Sequence, residues 1–225
     1  MKLNKILIYT DKLTKIKTFY VDFLGFNLRQ DTLDYFSISV GHSELIFKYS
    51  ETLEDPYYHF AFDIPPEMFE EVKVWLQERV NLLTEEGQDE IYFSGFDAKS
   101  LYFYDTAYNI VEFMARNEYH NKTQANQFTV QEIFGISEIG LVIDNLEQSM
   151  TTLKNYNYSN IANYMDEDSL NFIFNNNESN YLLLTKANRR WLFSNKLAKI
   201  LPISVETDKE IIKVVEGELK IKSLS

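Results

Sequence analysis

Cysteine is absent from the 225-residue chain, so neither disulfide bonds nor thiolate chemistry can hold the fold or carry a reaction. Glycine is scarce at seven residues, and no glycine-rich phosphate loop is built from them. A nucleophile-elbow pattern is missing as well. Histidine occurs three times. His42 beside Gly41 and His120 in a polar stretch read as solvated positions, which leaves His59. No apolar run approaches the ~20 residues of a membrane span. Met1-Lys2-Leu3-Asn4-Lys5 leads into a strand rather than a secretory leader. Basic residues are outnumbered, 22 Lys and Arg against 34 Asp and Glu, and the net charge of -12 argues against nucleic acid and anionic membrane as partners. These absences predict a cytoplasmic protein.

What is abundant is apolar and aromatic. Hydrophobic residues make up 45% of the chain, with 17 Phe and 15 Tyr. That supports a sizeable core and suits sheets that enclose a cavity. Leu3 to Thr10 reads as a strand with Leu3, Lys5, Leu7 and Tyr9 on one face. Asp11 is placed to cap a helix whose apolar face is Leu13, Ile16, Tyr20 and Phe23, with Gly25 as its stop. Strands Tyr35 to Val40 and Ser43 to Tyr49 follow about a Gly41-His42 turn. After an acidic loop the order recurs: strand Tyr57 to Ile64, a helix opened by Pro65-Pro66, a short strand Ile91 to Phe93 and a hairpin.

That hairpin runs from Ser100 to Arg116. Leu101 to Tyr104 and Ile110 to Met114 are its strands, and Asp105 to Asn109 is a turn that Asp and Asn favour. Glu112 stands between Val111 and Phe113, where a carboxylate is costly to bury without a partner. Tyr102-Phe103-Tyr104-Asp105, Asn109 and Val111-Glu112 resemble the closing hairpin of the vicinal oxygen chelate superfamily, which includes glyoxalase I, bleomycin-resistance proteins and extradiol ring-cleaving dioxygenases. Thr106 and Tyr108 stand where that pattern has Pro and Gly.

Beyond the polar stretch 117–133, read as a linker, the chain repeats itself. Ile139 to Leu146 resembles Ile6 to Leu13, with Asp144 matching Asp11 and Leu146 matching Leu13. Strands Leu170 to Phe174 and Tyr181 to Thr185 come next. Ile203 to Glu206 resembles Phe60 to Asp63, and Thr207-Asp208-Lys209-Glu210 has the form of a capping box that would open a last helix. The expected fold is α+β: paired βαβββ modules forming an open curved sheet, or cup, with the first module pair complete and the second truncated. Residues 1–116 would form one complete domain and 134–225 a degenerate, truncated copy.

The resemblance also implies a site. In ring-cleaving relatives the metal ligands are a His on the first strand, a His on the fifth and a Glu on the eighth, a set suited to ferrous iron. The matching positions in residues 1–116 are Lys5, His59 and Glu112. A protonated Lys5 has no lone pair to offer, so the expected arrangement is metal-free, with Lys5 neutralising Glu112. The alternative keeps His59 and Glu112 as ligands of iron or zinc with an unconventional third ligand, in a lyase or ring-cleaving dioxygenase. In the second copy the first-strand position is Glu138 and the fifth is Pro202, so neither copy assembles a complete site by itself. Tyr9, Tyr57, Tyr102 and Tyr104 fall on cup strands and support a pocket for a small aromatic or amphipathic molecule. The expected ligand-binding set is Lys5, Tyr9, Tyr57, His59, Tyr104 and Glu112. Asn188-Arg189-Arg190-Trp191 could cover the cup mouth and hold an anionic ligand, or form a solvated loop with one anchored Trp. A homodimer would cover an open sheet edge. A third class, a non-catalytic structural or interaction protein with its cup filled by its own aromatics, fits the same composition.

Overall fold

The computed structural model describes residues 1–117, 125–175 and 180–224. The first unit is β1 (Lys5–Thr10), α1 (Leu13–Lys17, continued by π-helical turns Thr18–Phe23), β2 (Leu28–Asp31), β3 (Tyr35–Val40) and β4 (Ser43–Tyr49). The second is β5 (His59–Ile64), α2 (Phe69–Gln77), β6 (Glu90–Phe93), β7 (Ala98–Tyr104) and β8 (Ile110–Arg116). The third is β9 (Gly135–Val142), α3 (Leu146–Lys154), β10 (Ser159–Asn160), β11 (Asn171–Phe174) and β12 (Tyr181–Thr185). The fourth, β13 (Ile203–Glu206), β14 (Glu210–Val215) and β15 (Glu218–Ser223), has no helix. The α+β class, the βαβββ units and the truncation of the last are as the sequence predicts. His120 and much of the expected linker, residues 118–124, lie outside the described residues.

The joining of the units differs from the expectation. Among the described residues the strands form two open sheets, β15-β14-β13-β1-β4-β3-β2 and β10-β11-β12-β9-β5-β8-β7-β6. Units one and two therefore do not share one curved sheet. Unit one joins unit four through antiparallel β1 and β13, with Lys5 opposite Glu206. Unit two joins unit three through antiparallel β5 and β9, with Phe60 opposite Ile139. Every unit offers the same free edge on its first strand, so backbone hydrogen bonding alone does not choose a partner. Side chains at the junctions fit the observed choice: Arg116 of β8 reaches Glu138 of β9, and Lys5 reaches Glu206.

The last helix is also replaced. Thr207 takes the amides of Lys209 and Glu210 on its hydroxyl, which makes a tight turn between β13 and β14. The Glu210 carboxylate accepts from the Tyr158 and Thr207 hydroxyls instead of capping a helix. Ile211, Ile212, Val214 and Val215 follow, and a run rich in β-branched residues favours a strand. Nor does Asp11 cap α1; Lys12 holds the cap position without a side-chain hydrogen bond.

One face of each sheet turns to a shared core. Ile6, Ile8, Phe36 and Phe47 from the first sheet join Phe60, Phe62, Phe103 and Phe113 from the second in a single apolar cluster. Phe26 packs on Phe62 at 5.8 Å and Phe19 on Phe103 at 6.5 Å, so the α1 region bridges both sheets. The opposite face of each sheet is a cup that opens away from this core. Among the described residues no helix is long and apolar enough to cross a membrane.

Candidate metal centre in the second cup

Alternation along β5 sends Phe60 and Phe62 to the core and leaves His59, Ala61 and Asp63 on the cup side. Glu112 lies on β8, one strand over, where its register partner is Ala61. Glu138 lies on β9, the strand on the other side, also opposite Ala61. The three side chains thus converge across three adjacent strands. One ligand atom from each of His59, Glu112 and Glu138 lies within 4.8 Å of the other two, and all three residues are buried. His59 Nε2 is 3.6 Å from Glu112 Oε2.

The imidazole is oriented from behind. His59 Nδ1 is 3.1 Å from the Ile110 carbonyl oxygen, which fixes the Nδ1–H tautomer and leaves the Nε2 lone pair facing Glu112. Burial lowers the His59 pKa to about 4, so the ring is neutral at physiological pH. Burial, and then the charge of Glu138, push the Glu112 carboxyl well above the usual carboxylate range. Glu138 is raised by burial as well, and the adjacent Arg116 offsets part of that rise. Arg116 donates from Nη2 to Glu138 and from Nη1 lies 3.6 Å from Asp63. The Ser100 and Tyr102 hydroxyls face the Glu112 carboxyl and offset part of the rise, although no hydrogen bond of full geometry reaches its buried Oε1.

Above these residues is a cavity of about 350 Å³ whose lining includes Phe93, Phe96, Tyr102, Phe172, Leu183 and Trp191. Residues 186–202, between β12 and β13, run across its mouth as a strap. Trp191 packs on the His59 ring at 4.9 Å, and Phe193 stacks on Tyr102 at 4.8 Å. Gly140 makes room for the Trp, since a Cβ there would meet Trp191 Cη2 at 2.7 Å. Tyr57 donates to the Leu197 carbonyl at 2.7 Å and the Tyr104 hydroxyl meets Ser194 Oγ at 2.7 Å. The Lys196 ammonium lies 3.9 Å from the centre of the Tyr57 ring.

The structure separates the sequence-predicted set. His59 and Glu112 come together; Tyr57 and Tyr104 fasten the strap at the mouth. Lys5 is on the other sheet, half-exposed, with Nζ 3.7 Å from Glu206. It does not neutralise Glu112, because β1 and β8 belong to different sheets. Tyr9 is on β1 with Lys5 and takes no part in this cavity. Sequence reasoning missed Glu138 as the third member and Arg116 as its counter-charge. The signal was present: Glu138 holds the same place on its unit's first strand as His59 does. His42 is a structural contact, with Nδ1 2.6 Å from the Phe134 carbonyl oxygen.

A family model described as a toxoflavin-degrading enzyme matches residues 136–189, a stretch that holds Glu138, Leu183 and Arg189. A putative dioxygenase from Bacillus subtilis subsp. subtilis str. 168 superposes on 82% of this chain at 14% identity, with a TM-score of 0.58; the match spans 63% of that protein. Lactoylglutathione lyase from Agrobacterium tumefaciens matches 50% of this chain and 92% of its own length at 17% identity, TM-score 0.41. An integron cassette protein from the mobile metagenome of the Halifax Harbour sewage outfall matches 50% and 97% at 22% identity, TM-score 0.44. A search of curated protein sequences finds no significant match. Three βαβββ-type units, a fourth reduced to three strands, two open sheets and the likeness of 82% of the chain to the Bacillus structure together show that the chain has the vicinal oxygen chelate fold.

Proposed function

We propose that the chain is a divalent-metal-dependent enzyme, of the lyase or ring-cleaving dioxygenase type, acting on a small aromatic or amphipathic molecule in the second cup. The observation that carries this reading is the cluster of His59, Glu112 and Glu138 ligand atoms within 4.8 Å at the floor of a cavity. One neutral imidazole and two carboxylates form a donor set suited to manganese, iron or zinc. Glu112 Oε1, reached by no hydrogen bond of full geometry, fits the same group, because a cation stabilises a buried carboxylate oxygen. A bound dication would supply Lewis-acid polarisation of a ligand's oxygen atoms. His59 would present Nε2, held by its Nδ1 contact to Ile110. Glu138 would bind through one oxygen while Arg116 holds the other. Phe96, Phe172 and Trp191 supply flat apolar walls for the ligand body, and the strap limits water at the floor. The toxoflavin-degrading family model supports the reading because its matched stretch includes Glu138.

A second reading is metal-free proton transfer by the carboxyl pair. The raised pKa of Glu112, caused by burial and by Glu138, favours it. Metal titration separates the two. Wild-type protein stripped with chelator should take up one Mn²⁺, Fe²⁺ or Zn²⁺ per chain by calorimetry. Glu112→Gln and Glu138→Gln should each weaken uptake by more than the roughly 10–100-fold that altering a metal ligand's supporting residue costs. Lack of stoichiometric uptake by the wild type would sink the metal reading and leave the proton-transfer one.

A further inference from the structure

Arg189 and Arg190 are adjacent in the strap and meet different surroundings. Arg190 forks onto Glu85, with Nη1 2.9 Å from Oε2 and Nη2 on Oε1. Glu85 also accepts from the Phe193 amide at 2.9 Å, so this pair pins the strap to the loop before β6. Arg189 instead lines the cavity. Among the described residues no carboxylate pairs with it; its Nη1 donates to the Arg190 carbonyl at 3.0 Å. Its guanidinium carbon lies 5.8 Å from the Trp191 ring centre. Burial, and then the like charge of Arg190, lower its pKa, and its field in turn disfavours protonation of His59. A partly desolvated cation therefore faces an apolar-walled cavity.

We propose that the second cup selects small planar molecules bearing an anionic carboxylate-type oxygen group, and that Arg189 is the specificity-determining residue that reads this charge. The proposal rests on the reading of the cavity as a substrate site. Two carboxylates on the floor would balance a dication, and Arg116 faces Asp63 as well as Glu138. Among the described residues Arg189 lines the cavity with no carboxylate of its own, and a single negative charge on a ligand answers it with or without the dication. A guanidinium meets a carboxylate through two parallel hydrogen bonds, and the contact strengthens where water is scarce. The rings of Phe96 and Phe172, 4.9 Å apart, and Trp191 provide the flat surfaces for the rest of such a ligand.

The test uses 2-hydroxybenzoate and its neutral analogue 2-hydroxybenzamide as probes in calorimetry, on the full chain with and without Mn²⁺. The wild type should bind the acid at least roughly tenfold more tightly than the amide. Arg189→Gln should abolish that preference while keeping amide affinity and Mn²⁺ stoichiometry. Arg189→Lys should retain part of it, since the charge stays and the fork is lost. Equal binding of the two probes by the wild type, no binding of the acid, or an unchanged preference in Arg189→Gln would each overturn the proposal. Should Arg189→Gln fail to fold, Arg189→Lys decides, and a preference identical to the wild type's counts against the fork. A wild type that binds no Mn²⁺ yet prefers the acid through Arg189 removes the metal reading and leaves this one standing; Mn²⁺ uptake without the preference does the reverse.

Discussion

The two cups are made from the same kind of unit and have opposite relations to solvent. On β1 the cup-side residues Lys5, Leu7 and Tyr9 are exposed or half-buried. On β5, β8 and β9 every residue is buried on both faces. The strap makes part of the difference, since it crosses the second cup and adds Trp191 and Phe193 to its lining cluster. Register adds the rest. Glu112 lies two residues beyond Ile110, the partner of His59; the same step beyond Glu44, the partner of Lys5, arrives at Ile46. One cup therefore holds desolvated carboxyls with raised pKa values, and the other holds the solvated Lys5–Glu206 pair beside a buried Glu44 that accepts from the Ser37 hydroxyl. A shared backbone supplies the positions, but covering the cup is what gives its acids unusual chemistry.

The largest test of that contrast is Arg116→Met. It leaves Glu138 and Asp63 buried beside each other without their shared guanidinium, and removal of one partner from a buried ion pair costs about 3–5 kcal/mol. Urea denaturation should show a loss of that order. A near-zero loss would mean that the carboxyls are already held as neutral acids.

His59 gives a pH-dependent test in metal-free protein. Its folded pKa of about 4 lies below the ordinary 6.5, so the unfolded chain binds more protons between those values. Stability should fall by roughly 3 kcal/mol as pH drops through this window, and His59→Gln should remove that component. Glu112 and Glu138 act in the opposite sense. Their raised pKa values contribute stability that is present below pH 4.5 and is lost as pH rises through the folded values. The difference between wild type and His59→Gln isolates the imidazole; matching urea midpoints across the window would refute its burial as a neutral ring.

Gly140→Ala sharpens the role of the cover. The added methyl would meet the far edge of Trp191 at 2.7 Å, so the ring must shift and the strap with it. The expected cost is about 1–3 kcal/mol, accompanied by a red shift of Trp emission as Trp191 gains water. Unchanged emission would show that the strap adapts without opening. The smallest effect belongs to Lys5→Met in the open cup. Its partner Glu206 is 3.7 Å away and both side chains reach solvent, so the melting curve should move by less than the equivalent of about 0.5 kcal/mol. A loss of several kcal/mol would place Lys5 in a buried network that the fold does not provide.

The units themselves were legible because their signals are local: alternation in β1 and β5, helical spacing from Leu13 to Tyr20, and the Asp105–Asn109 turn. Their pairing was not, since the first-strand edges are interchangeable in backbone terms and the choice falls to contacts between distant segments. That one misjudgement carried Lys5 into the expected site and kept Glu138 out, although Glu138 had been assigned to a first-strand position. His59 and Glu112 enter through the resemblance, position by position, since a His in an apolar strand alone reads as readily as a satisfied core histidine. Thr207 to Glu210 shows a different limit. A capping-box spacing and a hairpin turn use the same Thr hydroxyl on the same kind of amide, and only the β-branched run that follows tells them apart.

The exchanged pairing also sets a timetable for folding. The second cup is drawn from one continuous stretch, β5 to β12, whereas the first requires Lys5 to find Glu206. Closing that loop carries the larger entropic cost, so the order expected is middle first and ends last. Until β13 arrives, β1 presents an unpaired edge, a template for joining a second copy. Pulse-labelled hydrogen exchange during refolding should protect the amides of β5, β8 and β9 before those of β1 and β13. Simultaneous protection would show that the two cups form as one cooperative body.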